Sequence, residues 1–223
     1  LILSFSDVIR PKEYKQLLEL IDREPFVPGR ETAGERIAER KNNEQFARDS
    51  RQLEAVTNIV LDALKRNTPF CEAFYPRQLH SILVSRYGPG MAYGPHIDSA
   101  LMGQETAWRS DLSLTLFLSE PDAYDGGELA LESGSGEVRI KLPARSLVCY
   151  PTSQLHQVRE VTRGERLAVV GWIQSFVRDP QAREALYDLA RARNDIHASM
   201  GGSRAYDLVN KAHTNLLRRW AEN

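Results

Sequence analysis

The apolar positions of the chain change their period twice. From Ser6 to Glu24, "SDVIRPKEYKQLLELIDRE" places Pro11 at the start of a helical run and Leu17, Leu18, Leu20 and Ile21 after it. A second helical run, "RQLEAVTNIVLDALKRN", carries Leu53, Val56, Val60 and Leu64 on one face and stops at Asn67-Thr68-Pro69. Between the two, the stretch from Pro28 to Asn43 is polar, broken by Gly and Pro, and reads as a loop.

From Gln78 the helical period gives way to short β-rich runs. They are "LHSILVSRY", "MAYGPHI", "LSLTLFLS", "ELALES", "EVRIKL", "RSLVCY", "LHQVREV" and "RLAVVGWIQSF". Turn residues separate them: Gly88-Pro89-Gly90, Asp125-Gly126-Gly127, Ser133-Gly134-Ser135-Gly136, Pro143 and Arg163-Gly164. Eight strands with no helix between them predict an antiparallel sandwich or barrel, and eight is the number a jelly roll needs. Past Arg178 the pattern is helical again. Asp179 and Pro180 mark a start, Gly201-Gly202 a break, and Leu208, Ala212, Leu216 and Leu217 share a face beyond it. The expected fold class is α+β. A helical segment (1–77) packs on an eight-stranded jelly-roll core (78–177), which a helical extension (178–223) follows.

Composition narrows the function. The 223 residues are 42% hydrophobic, enough for a core, and a net charge of −1 offers no broad field for nucleic acid or an anionic membrane. Neither nucleic acid nor membrane is expected as a partner. No segment is long and apolar enough to span a bilayer, and "LILSFSDVIRP" lacks the pattern of a secretory signal. Two cysteines, Cys71 and Cys149, form no C-x-x-C pair. Cys149 reads as a buried core thiol, so a reducing, cytoplasmic setting is expected.

The candidate chemistry starts at "YGPHIDSA". His96 and Asp98 are two residues apart, a spacing that puts both on one side of a strand. An imidazole and a carboxylate buried together are costly unless a cation joins them. H-x-D alone occurs often by chance in a surface strand. "PTSQLHQVREV" adds His156 near the start of the seventh run, and the second and seventh strands of a jelly roll can be neighbours. Two imidazoles and one carboxylate occupy one face of an octahedron and leave the other open, as in non-haem iron(II) oxygenases. Arg166 lies ten residues beyond His156, at the head of an apolar strand. A guanidinium there is either a surface group of the "TRGER" turn or a clamp for an anion, which it binds as a planar fork.

These residues resemble a known family. H-x-D, a later His and an Arg ten residues on are similar to the iron(II)/2-oxoglutarate-dependent dioxygenases of the prolyl and lysyl hydroxylase type, and within them to the bacterial PKHD-type hydroxylases. The matching text includes "RKNNEQ", "RYGPGMAYGPHID", "DGGEL", "HQVREVTRGERLAVVGWIQS" and the tail "RDPQAREALYDL". The likeness covers nearly the whole chain. It implies a double-stranded β-helix, iron(II) on His96, Asp98 and His156, and 2-oxoglutarate on Arg166. It also implies dioxygen as second co-substrate, L-ascorbate as rescuing reductant, and release of succinate and carbon dioxide. The substrate it implies is a prolyl or other peptidyl side chain, with a small metabolite as the alternative. Prolyl hydroxylases often carry a co-substrate tyrosine on the strand after the H-x-D loop. Here that strand is "LSLTLFLS", with Phe117 in the region, so Tyr87 and Tyr93 become the candidates for the hydroxyl.

Two other readings compete: a cupin-like metal enzyme without 2-oxoglutarate, which has no use for a buried Arg166, and a non-catalytic jelly-roll binding module. The loop from Ser99 to Ser110, with Trp108 and Arg109, and "KNNEQ" from Lys41 to Gln45 are candidate lining segments. His80, His197 and His213 have no partner at ligand spacing and read as structural or surface residues. Oligomeric state is open, with a homodimer among the options.

Overall fold

A computed structural model of the chain describes residues 1–32, 39–47, 49–103, 106–134 and 136–222, without the side chains of Glu31, Thr32 and Ser81. Parts of three expected segments therefore lie outside the described residues: 33–38 in the Pro28–Asn43 loop, 104–105 in the Ser99–Ser110 loop, and Ser135 in a turn.

In chain order the elements are β1 (Leu3–Phe5), α1 (Pro11–Ile21), β2 (Phe26–Pro28), β3 (Lys41–Asn42), β4 (Glu44–Phe46), α2 (Leu53–Arg66), α3 (Thr68–Phe74), β5 (Pro76–Tyr87), β6 (Ala92–His96), β7 (Leu101–Met102), β8 (Trp108–Arg109), β9 (Leu112–Phe117), β10 (Tyr124–Gly126), β11 (Leu129–Ser133), β12 (Gly136–Ile140), β13 (Leu147–Pro151), β14 (His156–Val158), β15 (Val161–Gly164), β16 (Arg166–Ser175), α4 (Pro180–Met200) and α5 (Arg204–Trp220). The protein is thus mixed α and β, with antiparallel sheets.

Every run predicted as a strand from Gln78 onward contains one. They divide between two sheets. The larger runs β1-β13-β9-β16-β5-β4-β2 and the smaller β12-β11-β14-β6-β3. The first third is more than helical, because β1, β2, β3 and β4 add to the edges of these sheets. Runs of two or three residues carry no readable period. They become strands because an existing edge offers unpaired N–H and C=O groups.

Alternation explains how the larger sheet is used. On β9, Leu112, Leu114 and Leu116 join a cluster with Leu17 and Ile21 of α1 and Val56, Val60, Ala63 and Leu64 of α2. Leu147 and Cys149 of β13, and Leu167, Val169 and Ile173 of β16, point the same way. Each such side chain, fully buried, contributes about 1.5–3 kcal/mol. The intervening residues point to the smaller sheet, where the polar groups collect.

Helix ends follow local chemistry. Pro11 sits in the first turn of α1. Asn67 ends α2 and also caps α3, its side chain accepting from the Phe70 N–H at 3.0 Å. Asp179 caps α4 by accepting from Ala182 N–H at 2.8 Å, and Gly201 closes it at φ +61°. The expected face of α5 needs correction. Leu208 is exposed, and the helix is seated by Leu216, Leu217 and Trp220 against Val177, Ala182 and Leu186. Its buried residue is His213, whose Nε2 lies 2.8 Å from the Tyr75 hydroxyl, a structural contact. Among the described residues, no helix is long and apolar enough to cross a membrane.

Candidate metal centre

β6 and β14 are paired antiparallel with His96 directly opposite His156, so both imidazoles leave the same face of the smaller sheet. Asp98 follows two residues beyond the end of β6. His96, Asp98 and His156 each offer one ligand atom, and these atoms lie within 4.8 Å of one another. The His96 Nε2 is 3.9 Å from one Asp98 carboxylate oxygen, and the His156 Nε2 is 3.8 Å from the other. Only 7%, 10% and 6% of these three side chains is exposed, so the charge they hold is largely withdrawn from water.

The backbone fixes both tautomers. His96 Nδ1 lies 2.9 Å from the Gly94 carbonyl and His156 Nδ1 lies 2.9 Å from the Gln154 carbonyl. A carbonyl only accepts, so each Nδ1 carries the proton and each Nε2 presents a lone pair toward Asp98. Burial first, and then the neighbouring His156, hold His96 well below the ordinary imidazole range, so it stays neutral at neutral pH. Asp98 is steadied from the other sheet, where Ser113 on β9 donates its hydroxyl to the carboxylate at 2.5 Å. Two imidazole nitrogens and one carboxylate suit a first-row divalent ion.

Arg166 heads β16, opposite Tyr87 of β5, and is 1% exposed. Its Nε and Nη1 find no hydrogen-bond partner among the described residues. Its guanidinium carbon lies 5.3 Å from the Tyr87 ring centroid and 5.4 Å from that of Phe117. A buried guanidinium with unmet donors is costly unless an anion completes it. Arg166 and the trio line one cavity of about 780 Å³, which the smaller and larger sheets enclose between them.

The remaining expected residues fall as follows. Tyr93 lies flat on the His96 ring, with centroids 3.7 Å apart, and burial first, then Asp98, raises its hydroxyl pKa. Tyr87 is buried, and burial likewise raises its pKa, with Arg166 and then Ser85 opposing. Lys41, Asn43 and Gln45 line the cavity, so "KNNEQ" reaches it from β3 and β4. Trp108 instead stacks on His80, with centroids 3.4 Å apart. Arg109 pairs with Asp111 at 2.7 Å and with Glu222 at 2.9 Å, tying the loop to the end of the chain. Neither lines the cavity that holds the trio. Sequence reasoning did not single out Ser113, Thr115 or Tyr150. Alternation along "LSLTLF" marks the first two as inward residues. Nothing local marks Tyr150, which lines the cavity with Thr115 and feels the charges of Asp98 and Arg166.

Comparison with known proteins gives the family. A family model described as the 2OG-Fe(II) oxygenase superfamily matches residues 82–174, which contain the trio and Arg166. The chain is 48% identical over 223 residues to the PKHD-type hydroxylase of Synechococcus sp. (strain JA-2-3B'a(2-13)), with 100% of both chains covered. It therefore belongs to the PKHD-type hydroxylases, and is an oxygenase that uses iron and 2-oxoglutarate. Solved structures share the fold. An oxidoreductase of the 2OG-Fe(II) oxygenase family from Burkholderia pseudomallei aligns at a TM-score of 0.60 and 18% identity, covering 78% of this chain and 85% of its own. The prolyl hydroxylase from Trichoplax adhaerens, solved with a hypoxia inducible factor peptide fragment, aligns at 0.54 and 16%, covering 83% and 86%. Family membership sets aside the cupin-like and non-catalytic readings.

Proposed function

We propose that His96, Asp98 and His156 hold the iron(II), and that Arg166 holds the distal carboxylate of 2-oxoglutarate. The enzyme then hydroxylates an unactivated carbon and releases succinate and carbon dioxide. The observation that carries this reading is the unpartnered Arg166 fork in the same cavity as three converging ligand atoms. We read β5, β6, β9, β11, β12, β13, β14 and β16 as the eight strands of a double-stranded β-helix. The four in each sheet support this.

When bound, iron and 2-oxoglutarate supply, with dioxygen, the oxidising power for C–H hydroxylation. The chain's own residues do the rest. With Nδ1 of His96 and His156 engaged by backbone carbonyls, each Nε2 is the atom that would hold the metal. Asp98 offsets half of a dication's charge, and Ser113 keeps its carboxylate turned inward. Arg166 fixes the far end of the co-substrate and thereby its direction. Tyr87, Phe117, Leu129 and Val158 exclude water around the site. L-ascorbate fits as the reductant that returns iron to the ferrous state after an unproductive turnover. The substrate favoured is a peptidyl side chain, prolyl first, which the peptide-bound fold neighbour supports; a small metabolite is the competing class.

Anaerobic titration with iron(II) and then 2-oxoglutarate tests the reading. A visible metal-to-ligand charge-transfer band is expected on the second addition, and no band at saturating 2-oxoglutarate overturns it. Succinate release against a panel of peptides and metabolites then separates the two substrate classes.

A further inference from the structure

Three tyrosines feel the charge of Arg166: Tyr87, Tyr124 and Tyr150. Ser85 beside the Tyr87 hydroxyl and Thr115 beside that of Tyr150 lower those pKa values against burial. For Tyr124 the neighbouring polar side chain is Arg166 itself. Tyr124 is 0% exposed, and its hydroxyl has no hydrogen-bond partner among the described residues. Nε and Nη1 of Arg166 are unmet in the same place. A guanidinium only donates, whereas a phenol oxygen accepts as well, so the two orphans are complementary. Tyr124 does not line the cavity, so it stands behind the arginine and not in front of it.

The surroundings hold this pair together. The Lys141 ammonium lies 4.0 Å from the centroid of the Tyr124 ring and donates to the Tyr124 carbonyl at 2.7 Å. Gly127, at φ +66°, is wedged between ring and guanidinium stem. A Cβ there would come within 2.9 Å of Tyr124 Cε2 and 3.1 Å of Arg166 Cδ. The second glycine of "DGGEL" thus does more than make a turn: its missing side chain is the space in which Tyr124 and Arg166 meet.

We propose that Tyr124 is a positioning residue for Arg166, its hydroxyl taking a back-facing N–H of the guanidinium so that the remaining fork faces the cavity and meets the co-substrate carboxylate. This rests on the reading of Arg166 given above.

The test is anaerobic binding to the iron(II)-loaded enzyme of two acids, 2-oxoglutarate and 2-oxopentanoate, which has the same chain length but no distal carboxylate. In wild type, 2-oxoglutarate should bind much more tightly; if it does not, the reading of Arg166 fails before Tyr124 is in question. Y124F should weaken 2-oxoglutarate about tenfold, as loss of a hydrogen bond to a charged group does. It should leave 2-oxopentanoate unchanged, and in an R166M background it should have no further effect. Unchanged 2-oxoglutarate affinity in Y124F, an equal loss for both acids, or a loss that persists in R166M would each overturn the proposal. Should Y124F fail to fold, 3-fluorotyrosine at position 124 keeps the shape. Its fluorine resonance should shift with 2-oxoglutarate and not with 2-oxopentanoate, and equal responses overturn the proposal.

Discussion

On β9, Leu112, Leu114 and Leu116 lie in the cluster beneath α1 and α2, while Ser113 meets Asp98, Thr115 meets Tyr150, and Phe117 lies beside Arg166. On β16, Leu167, Val169 and Ile173 face the same helices, and Arg166 and Val170 face the cavity. One sheet therefore has an apolar side toward the helices and a side where polar groups, matched and unmatched, sit among apolar ones such as Phe117, Val148 and Val170. All six β9 residues are buried, so water does not separate the two sides; chemistry does. The apolar side tolerates exchange of one aliphatic residue for another at modest cost. The polar side has no such latitude, because each group is defined by a particular partner.

Substitutions on the two sides should differ in kind as well as size. Asp98→Ala removes the only carboxylate of the trio. Turnover should fall below detection and iron retention on anaerobic dialysis by more than about 100-fold, since changes to supporting groups alone cost about 10–100-fold. The thermal midpoint of the metal-free protein should stay within a few degrees of wild type. Retained activity would remove Asp98 from the ligand set. Leu116→Ala on the opposite side should do the reverse, costing about 2–5 kcal/mol in chemical denaturation while iron binding per folded molecule is unchanged. Equal loss of metal affinity would show that the two sides are not separable.

Arg166→Lys replaces a fork with a point charge. The 2-oxoglutarate requirement should rise about tenfold or more, with iron affinity unchanged, in initial-rate or binding measurements. Ser113→Ala should weaken iron retention about tenfold, with little effect on stability. The smallest expected effect is at α5. Burial first, and then Arg193, lowers the His213 pKa below its ordinary value of 6.5. The unfolded chain then binds the extra proton more readily, so the stability contribution is full above about pH 6.5 and is lost as pH falls below it. H213N should flatten that part of the melting-point profile, and an identical profile in the variant would assign the dependence to other groups.

Much of this contrast was legible in the chain itself. Alternation in "LSLTLF" and "RLAVVGWIQSF" marks both sides of the sheet, and H-x-D, His156 and Arg166 stand out because charge is costly in apolar runs. What was hidden depends on the third dimension. Tyr124 and Arg166 are far apart in sequence, and the pairing of β10 with β15, which sets Tyr124 opposite Gly164, brings them together. The short strands β2, β3 and β4 have no period of their own, so "KNNEQ" read as a loop until an edge gave it register. Trp108 and Arg109 looked like entrance residues. Their partners, His80 and Glu222, are supplied by distant segments.

Asp98 is hydrogen-bonded to the seven-stranded sheet through Ser113, whereas His96 and His156 belong to the five-stranded one. An ion gripped by all three would therefore act as a clasp across the sandwich. Loading should slow the parting of its two layers, so that protease resistance reports occupancy even when no substrate is known.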